Sequence, residues 1–327
     1  MSQEHTYTEV PIKGEFPKLM LPKGTGLVLE GGGTRGFFTA GVFEAFMEHG
    51  VMFPYIVGVS AGPANAMSYV SGQKFRNRQI IEKYVGRHQY VSFRNLLKHR
   101  SLFGYEYIFK TIPGKHIFWD REVFYGTDIS FLIGAFEINT AETVWFEKHE
   151  LGQDLAPSIA SCSVPIVSRI VRIGDMELLD GGIAEPIPVR KSVSDGNSFH
   201  VIILTRNANY KHGPMKNTFI VKLLYKKYPL LVETLLRRHE IYNNQIMMAE
   251  KLEQEGKALI IRPQKPLSVG RSTSDTKALV NLHDEGFYEG KKALRVLAER
   301  LGISYNMKGN KNERLQELAG SGIVLCS

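Results

Sequence analysis

The sequence predicts an α/β sandwich with its chemistry at the carboxyl ends of the strands, and three observations lead there. Short apolar runs alternate with helix-like stretches, the pattern of strands covered by helices. Two of these runs, Leu27-Val28-Leu29 and Tyr55-Ile56-Val57, lead directly into glycine-framed turns, and each turn opens onto a helix. In such sheets ligands bind where strands end and helices begin. Finally, 327 residues, 43% of them hydrophobic and 23% charged, suffice to bury a substantial core in one large domain or two.

The elements follow in order. A leader with Pro11, Pro17 and Pro22 precedes the two strand–turn–helix units, whose helices are expected over 37–49 and 61–69. The next segment, rich in basic residues, reads as short helices. Strands are expected over 131–138 and 143–146, then a helix over 154–160. The turn signal Gly174-Asp175 separates strands 170–173 and 177–179 as a hairpin ending at Asp180. Residues 200–205 form a further apolar strand. Helices over 216–228 and 230–256 are parted at Pro229, and a strand at 258–261 and a helix over 284–301 end the folded part. The tail 302–327, rich in Gly, Asn and Lys, is expected to be poorly ordered. The division is a leader 1–23, a catalytic domain 24–206, a mainly helical extension 207–301 packed on it, and a flexible tail 302–327. The helix at 216–228 sets Lys222 and Lys226 opposite Ile220 and Leu224, but Lys227 enters its apolar stripe. It is read as a packing helix rather than a membrane anchor.

Two cysteines, Cys162 and Cys326, are too few for a disulfide framework and point to a reducing compartment. Cys162, among Ala160, Ser161 and Ser163, reads as a packed, inert thiol. Neither a secretory signal nor an apolar run of membrane-spanning length is visible, so a cytoplasmic protein is expected. The net charge is +8. Eleven basic residues and only three acidic ones fall between Lys74 and Arg121, and their excess equals that of the whole chain. Aromatic residues interleave with them. Arg94, Lys98 and Arg100, with Phe103 and Tyr105, are expected to meet an anionic lipid surface at the inner face of the membrane. The plainer alternative is a solvated helical face over its own local core. No nucleic-acid partner is expected, no cofactor, and no metal, since no His/Asp/Glu cluster has ligand spacing.

The glycine-framed turns suggest acyl transfer. In Gly58-Val59-Ser60-Ala61-Gly62, a strand passes through Gly-x-Ser-x-Gly into a helix, the context that exposes a serine hydroxyl on a sharp turn. The turn Gly31-Gly32-Gly33-Thr34-Arg35-Gly36 can aim bare N–H groups at a developing oxyanion. A third element, Asp180-Gly181-Gly182, closes the hairpin and can supply the base that a serine needs. An ordinary aspartate, with a pKa of about 3.9, is a weak base for a hydroxyl, but burial raises it.

In order and spacing, these three motifs resemble the patatin-like phospholipases. The likeness extends through Ser161-Cys162-Ser163-Val164-Pro165 and Pro186-Ile187-Pro188-Val189, over about residues 26–206. The resemblance implies a three-layer α/β/α fold and a Ser–Asp dyad that hydrolyses lipid acyl esters. By match, Ser60 is the nucleophile, Asp180 the base, and Gly32 and Gly33 the oxyanion donors, with Arg35 close by. The basic-aromatic insertion is of the bacterial type, which leaves the natural lipid open.

Two alternatives stand beside this reading. An α/β-hydrolase would complete a triad with His200, His212, His239 or His283, although none sits in a distinctive loop motif and most read as surface residues. A non-catalytic protein binding anionic lipid would use only the basic segment. A dinucleotide site fits less well: Gly31, Gly33 and Gly36 satisfy its spacing, but no carboxylate ends the second strand.

Overall fold

The structure, a computed structural model, describes residues 19–301. Strands β1 (Leu19–Met20) and β2 (Thr25–Leu29) are followed by a 3-10 turn at Gly33–Gly36 and helix α1 (Phe37–Glu48). The motif repeats with β3 (Val51–Met52), β4 (Tyr55–Val59) and α2 (Ala61–Val70). The basic segment folds as α3 (Arg76–Ile80), α4 (Phe93–His99) and α5 (Arg121–Gly126). Side chains start the last two: Ser92 accepts from the Asn95 N–H and Asp120 from the Val123 N–H. Next come β5 (Ser130–Glu137), β6 (Thr143–Glu147), α6 (Ala156–Ser161), β7 (Val171–Ile173) and β8 (Met176–Asp180). Then α7 (Val189–Ser194), β9 (Phe199–Ile203), α8 (Thr218–Leu224), α9 (Pro229–Gln254), β10 (Ala258–Ile261) and α10 (Thr276–Leu301) complete the chain.

The main sheet has the order β10-β9-β2-β4-β5-β8-β7, with β6 also paired to β5. The first five strands are parallel, while β6 and β8 run antiparallel to β5. Alternation sorts each central strand between two cores. Leu27 and Leu29 of β2 join one buried cluster and Val28 another; Ile56 of β4 divides in the same way from Tyr55 and Val57. Helices α1, α2 and α10 cover the first face, and α7 and α9 the second, so the fold is a patatin-type α/β/α arrangement with a helical C-terminal region.

Helix α10 lies close against α1. A Cβ on Gly286 would strike the Phe38 carbonyl, and one on Gly41 the His283 carbonyl, so glycine sets the distance between the helices. The helix begins earlier than the expected residue 284, because Asp275 caps it by accepting from the Ala278 N–H. Asp284 lies inside it and pairs with Arg78. Helix α8 stops at Leu224 rather than at 228. Helix α7, which follows Pro188 directly, was not expected, and neither were the two-residue strands β1 and β3. The expected tail, and the leader up to residue 18, lie outside the described residues.

Candidate active site

Ser60 occupies the junction between β4 and α2 with φ 57° and ψ −129°, a backbone region that favours glycine. Its N–H donates to Ser161 Oγ at 2.8 Å, and that hydroxyl donates to the Gly134 carbonyl at 2.7 Å. Gly58 and Gly62 let the turn press against Leu29. One hydroxyl from α6 therefore ties the strained turn to β5.

The register of β5 brings Asp180 to the same point. Val59 pairs with Gly134, and the next residue, Ala135, pairs with Asp180. Ser60 Oγ donates to Asp180 Oδ2 at 2.7 Å, while Oδ1 accepts from the Gly182 N–H, also at 2.7 Å. Burial raises the Asp180 carboxyl above its ordinary pKa, against the opposing pull of these hydrogen bonds and of Arg238 and Arg271. Beside the pair, burial and the Asp180 charge push the Cys162 thiol well up, so it stays protonated and inert. Cys326 lies outside the described residues.

The glycine turn forms another wall of the same cavity, which measures about 650 Å³ and includes Gly31, Gly32, Gly33, Ser60 and Asp180. Gly33 has φ +58° and passes beneath the Arg271 carbonyl, where any Cβ would collide. Thr34 fastens the turn: its N–H donates to that carbonyl at 2.8 Å and its hydroxyl to the Gly270 carbonyl at 3.2 Å. Asn65 of α2 donates to the Gly36 carbonyl at 3.1 Å, joining the two turns. The N–H groups of Gly32 and Gly33 have no acceptor among the described residues. Arg35, only 3% exposed, faces the cavity with its Nε unpartnered.

Several expectations need correction. The histidines are not mostly surface residues: His200 is buried against Ser192 and His283 lies under α1. His212 and His239 line the cavity, but His212 contacts Arg238 at 2.8 Å, and among the described residues no histidine bonds to Ser60 or Asp180. Burial lowers the pKa of His212, which keeps it neutral. Tyr105 is not an exposed ring. It is buried, donating to the Cys162 carbonyl, and Phe103 is half-buried in the cavity wall. Arg94, Lys98 and Arg100 are exposed as expected, but the apolar groups beside them are Phe93 and Leu97, 67% and 73% exposed. Helix α8 is no packing helix. It buries Val221 alone, and Phe219, Ile220, Leu223 and Leu224 face outward.

The sequence left several residues in and around the cavity unassigned. Ser161 was visible only as one of a small-residue run. Glu30, Arg206, Arg238, Tyr242 and Arg271 carry no motif, and only the fold brings them to the glycine turn. Glu30 is fully buried; it accepts from the Tyr242 hydroxyl at 3.1 Å and from the Thr205 N–H. Among the described residues there is no cluster able to hold a metal, and no helix is long and apolar enough to cross a membrane.

Residues 27–191 match the family described as patatin-like phospholipase, and residues 228–302 match a domain of unknown function (DUF6363). The uncharacterized protein YjjU of Escherichia coli K12 is 24% identical over 247 residues, covering 74% of this chain and 69% of its own length. Lysophospholipase NTE1 of Coccidioides immitis is 28% identical over 208 residues, which is 58% of this chain but 12% of that protein. Among solved structures, VipD from Legionella pneumophila superposes with a TM-score of 0.44 at 12% identity, covering 84% of this chain and 67% of VipD.

Proposed function

We propose, on the premise that this chain belongs to the patatin-like phospholipase family, that it hydrolyses lipid acyl esters through Ser60 and Asp180. The observation that carries this reading is the 2.7 Å hydrogen bond from Ser60 Oγ to Asp180 Oδ2 on a strained turn facing the cavity. Asp180 takes the hydroxyl proton as Ser60 Oγ attacks the ester carbonyl. The oxyanion forms beside the free N–H groups of Gly32 and Gly33, at the head of α1. Collapse expels the alcohol, which leaves with the proton held by Asp180. Water then repeats the step on the acyl-Ser60 ester, releasing the fatty acid and restoring the hydroxyl. The lysophospholipase names of the NTE1 relatives support a lipid substrate.

The same proposal includes peripheral contact with an anionic lipid surface. The Leu102 N–H donates to the Val167 carbonyl at 2.7 Å, and the Ile166 N–H to the Tyr225 hydroxyl at 2.8 Å. The cavity wall at Leu102, Phe103 and Ile166 is thereby connected to both α4 and the end of α8. Exposed Phe93, Leu97, Phe219 and Leu223, with Arg94, Lys98 and Lys222 beside them, support docking of this rim on lipid.

Ser60→Ala tests the reaction. The variant retains its unfolding temperature, loses hydrolysis of lysophospholipid and of a soluble ester, and escapes labelling by a fluorophosphonate that modifies the wild type at Ser60. Labelling at another residue, or full activity in the variant, overturns the assignment.

A further inference from the structure

Four arginines face the cavity that holds Ser60: Arg35, Arg206, Arg238 and Arg271. They come from the glycine turn, the segment after β9, helix α9 and the segment before α10. Among the described residues, the only acidic side chains lining the same cavity are Glu30 and Asp180. Neither forms a salt bridge with any of the four among the described residues, so positive charge predominates. Glu30 directs its carboxylate at Thr205 and Tyr242 instead, and burial raises its pKa, which weakens its countercharge further.

The donors of these arginines are incompletely used. Arg35 Nε is buried without a partner, and so is Arg206 Nε, whose guanidinium stacks 4.2 Å from the Tyr210 ring centroid. Arg238 is fixed by the Gly182 carbonyl at 2.7 Å and by His212. Burial pulls Arg35 down to about 10; the Glu30 charge works against this, and repulsion from the nearby Arg271 and Arg206 adds to it. Such mutual repulsion, with forked donors left open, is what an anion relieves.

We infer that Arg35, Arg206, Arg238 and Arg271 form an anion site beside Ser60 that receives the phosphate of a phospholipid or lysophospholipid. This rests on the acyl-hydrolase reading and deepens it: the ester reaches Ser60 while the phosphate is held by the arginines. A phosphodiester presents two charged non-bridging oxygens to these forked donors, whereas a neutral glycerol presents only uncharged hydroxyls. Three of the four arginines lie beyond residue 191, outside the part of the chain that matches the family. The selection of phosphate therefore draws mainly on residues C-terminal to the family match, with Arg35 of the glycine turn as the exception.

The test is a comparison of two lipids with the same acyl ester, 1-oleoyl-lysophosphatidylglycerol and 1-oleoylglycerol, each at a fixed mole fraction in neutral detergent micelles. Binding is measured on Ser60→Ala protein, so that turnover plays no part. The phosphate-bearing lipid binds at least about tenfold more tightly, by the ordinary strength of charge-assisted hydrogen bonds. Adding R206Q and R271Q reduces that preference about tenfold or more, and added salt reduces it too. Should the triple variant unfold, each arginine variant alone in the Ser60→Ala background reads the same ratio. Inorganic phosphate that displaces the lysolipid shows that the site takes free phosphate as well; lysolipid that resists displacement shows a site specific to the lipid headgroup. Equal binding of the two lipids, or a preference unmoved by R206Q and R271Q, overturns the inference. Its failure is distinct from failure of the acyl-hydrolase reading, which is shown by wild-type protein that hydrolyses neither lipid and is not labelled at Ser60.

Discussion

Ser161→Ala removes a single hydroxyl that serves two backbone groups. Ser161 is fully buried, accepts from the Ser60 N–H at 2.8 Å and donates to the Gly134 carbonyl at 2.7 Å. Both groups lose this partner in the variant. An unsatisfied buried polar group costs about 1–3 kcal/mol, so the pair costs about 2–6 kcal/mol. In a large domain each kcal/mol lowers the unfolding temperature by about 2–4 °C, which gives a fall of roughly 4–24 °C. The functional effect comes from the same bond. The Ser60 N–H helps to hold a φ of 57°, and a turn that relaxes moves Oγ away from Asp180. Ser161 thus positions the nucleophile without touching substrate. On a soluble p-nitrophenyl ester, kcat falls about tenfold or more with KM little changed, because the residue does not line the cavity. Thermal unfolding and steady-state kinetics on the same preparation decide it. An unfolding temperature within a degree of wild type together with unaltered kcat refutes the reasoning.

Asp180→Asn lowers kcat by at least about a hundredfold, whereas Ala at His200, His212, His239 or His283 leaves most activity; a thousandfold loss at one of these histidines, with the fold preserved, moves the protein to a histidine-containing mechanism. Because burial raises the Asp180 carboxyl, the base is lost on acidification at a higher pH than for an ordinary aspartate. The acid limb of kcat/KM therefore lies above about pH 4, and a limb at or below that value is incompatible with a buried base. The rim is tested by two variants measured on anionic vesicles at two salt concentrations, one with Arg94, Lys98 and Arg100 changed to Glu, the other with Phe219 and Leu223 changed to Ser. Each weakens binding about tenfold or more at low salt, the first in a salt-dependent way, and turnover of a soluble ester hardly changes; vesicle binding untouched by both leaves these faces as solvated cover.

What was legible in the sequence was local. Each of the two turns is one continuous segment between a strand and a helix, so glycine spacing and apolar runs suffice to locate Ser60 and the Gly31–Gly36 stretch. Pairing of Asp180 with Ser60 depends on β5, because Gly134 meets Val59 while the adjacent Ala135 meets Asp180. Nothing in residues 130–137 announces that register. The errors have a common origin as well. Tyr105 and Phe103 were placed outside by their charged neighbours, yet Phe103 lines the cavity and Tyr105 is buried against Cys162 and Ser168, while Phe93 and Leu97, one helical turn apart on α4, face outward. Periodicity gave α8 an apolar stripe but not its surroundings, and among its residues only Val221 finds a core.

The division of the cavity explains which part of the function a motif can disclose. Bond-breaking groups must sit within hydrogen-bond reach of one another, and the proposed pair, Ser60 and Asp180, is set by strand ends inside residues 27–191. The groups facing the rest of the substrate need only border the same space, and the chain supplies them from distant places: Arg206 after β9, Arg238 and Tyr242 on α9, and Arg271 before α10. Their contact with the site is fastened at the Arg271 carbonyl, which receives the Thr34 N–H directly above Gly33. On the proposed reading, a change in the C-terminal region alters which lipid is held while leaving Ser60 and Asp180 in place. The converse does not hold, since any side chain at Gly33 would collide with the Arg271 carbonyl and displace the arginine wall together with the glycine turn.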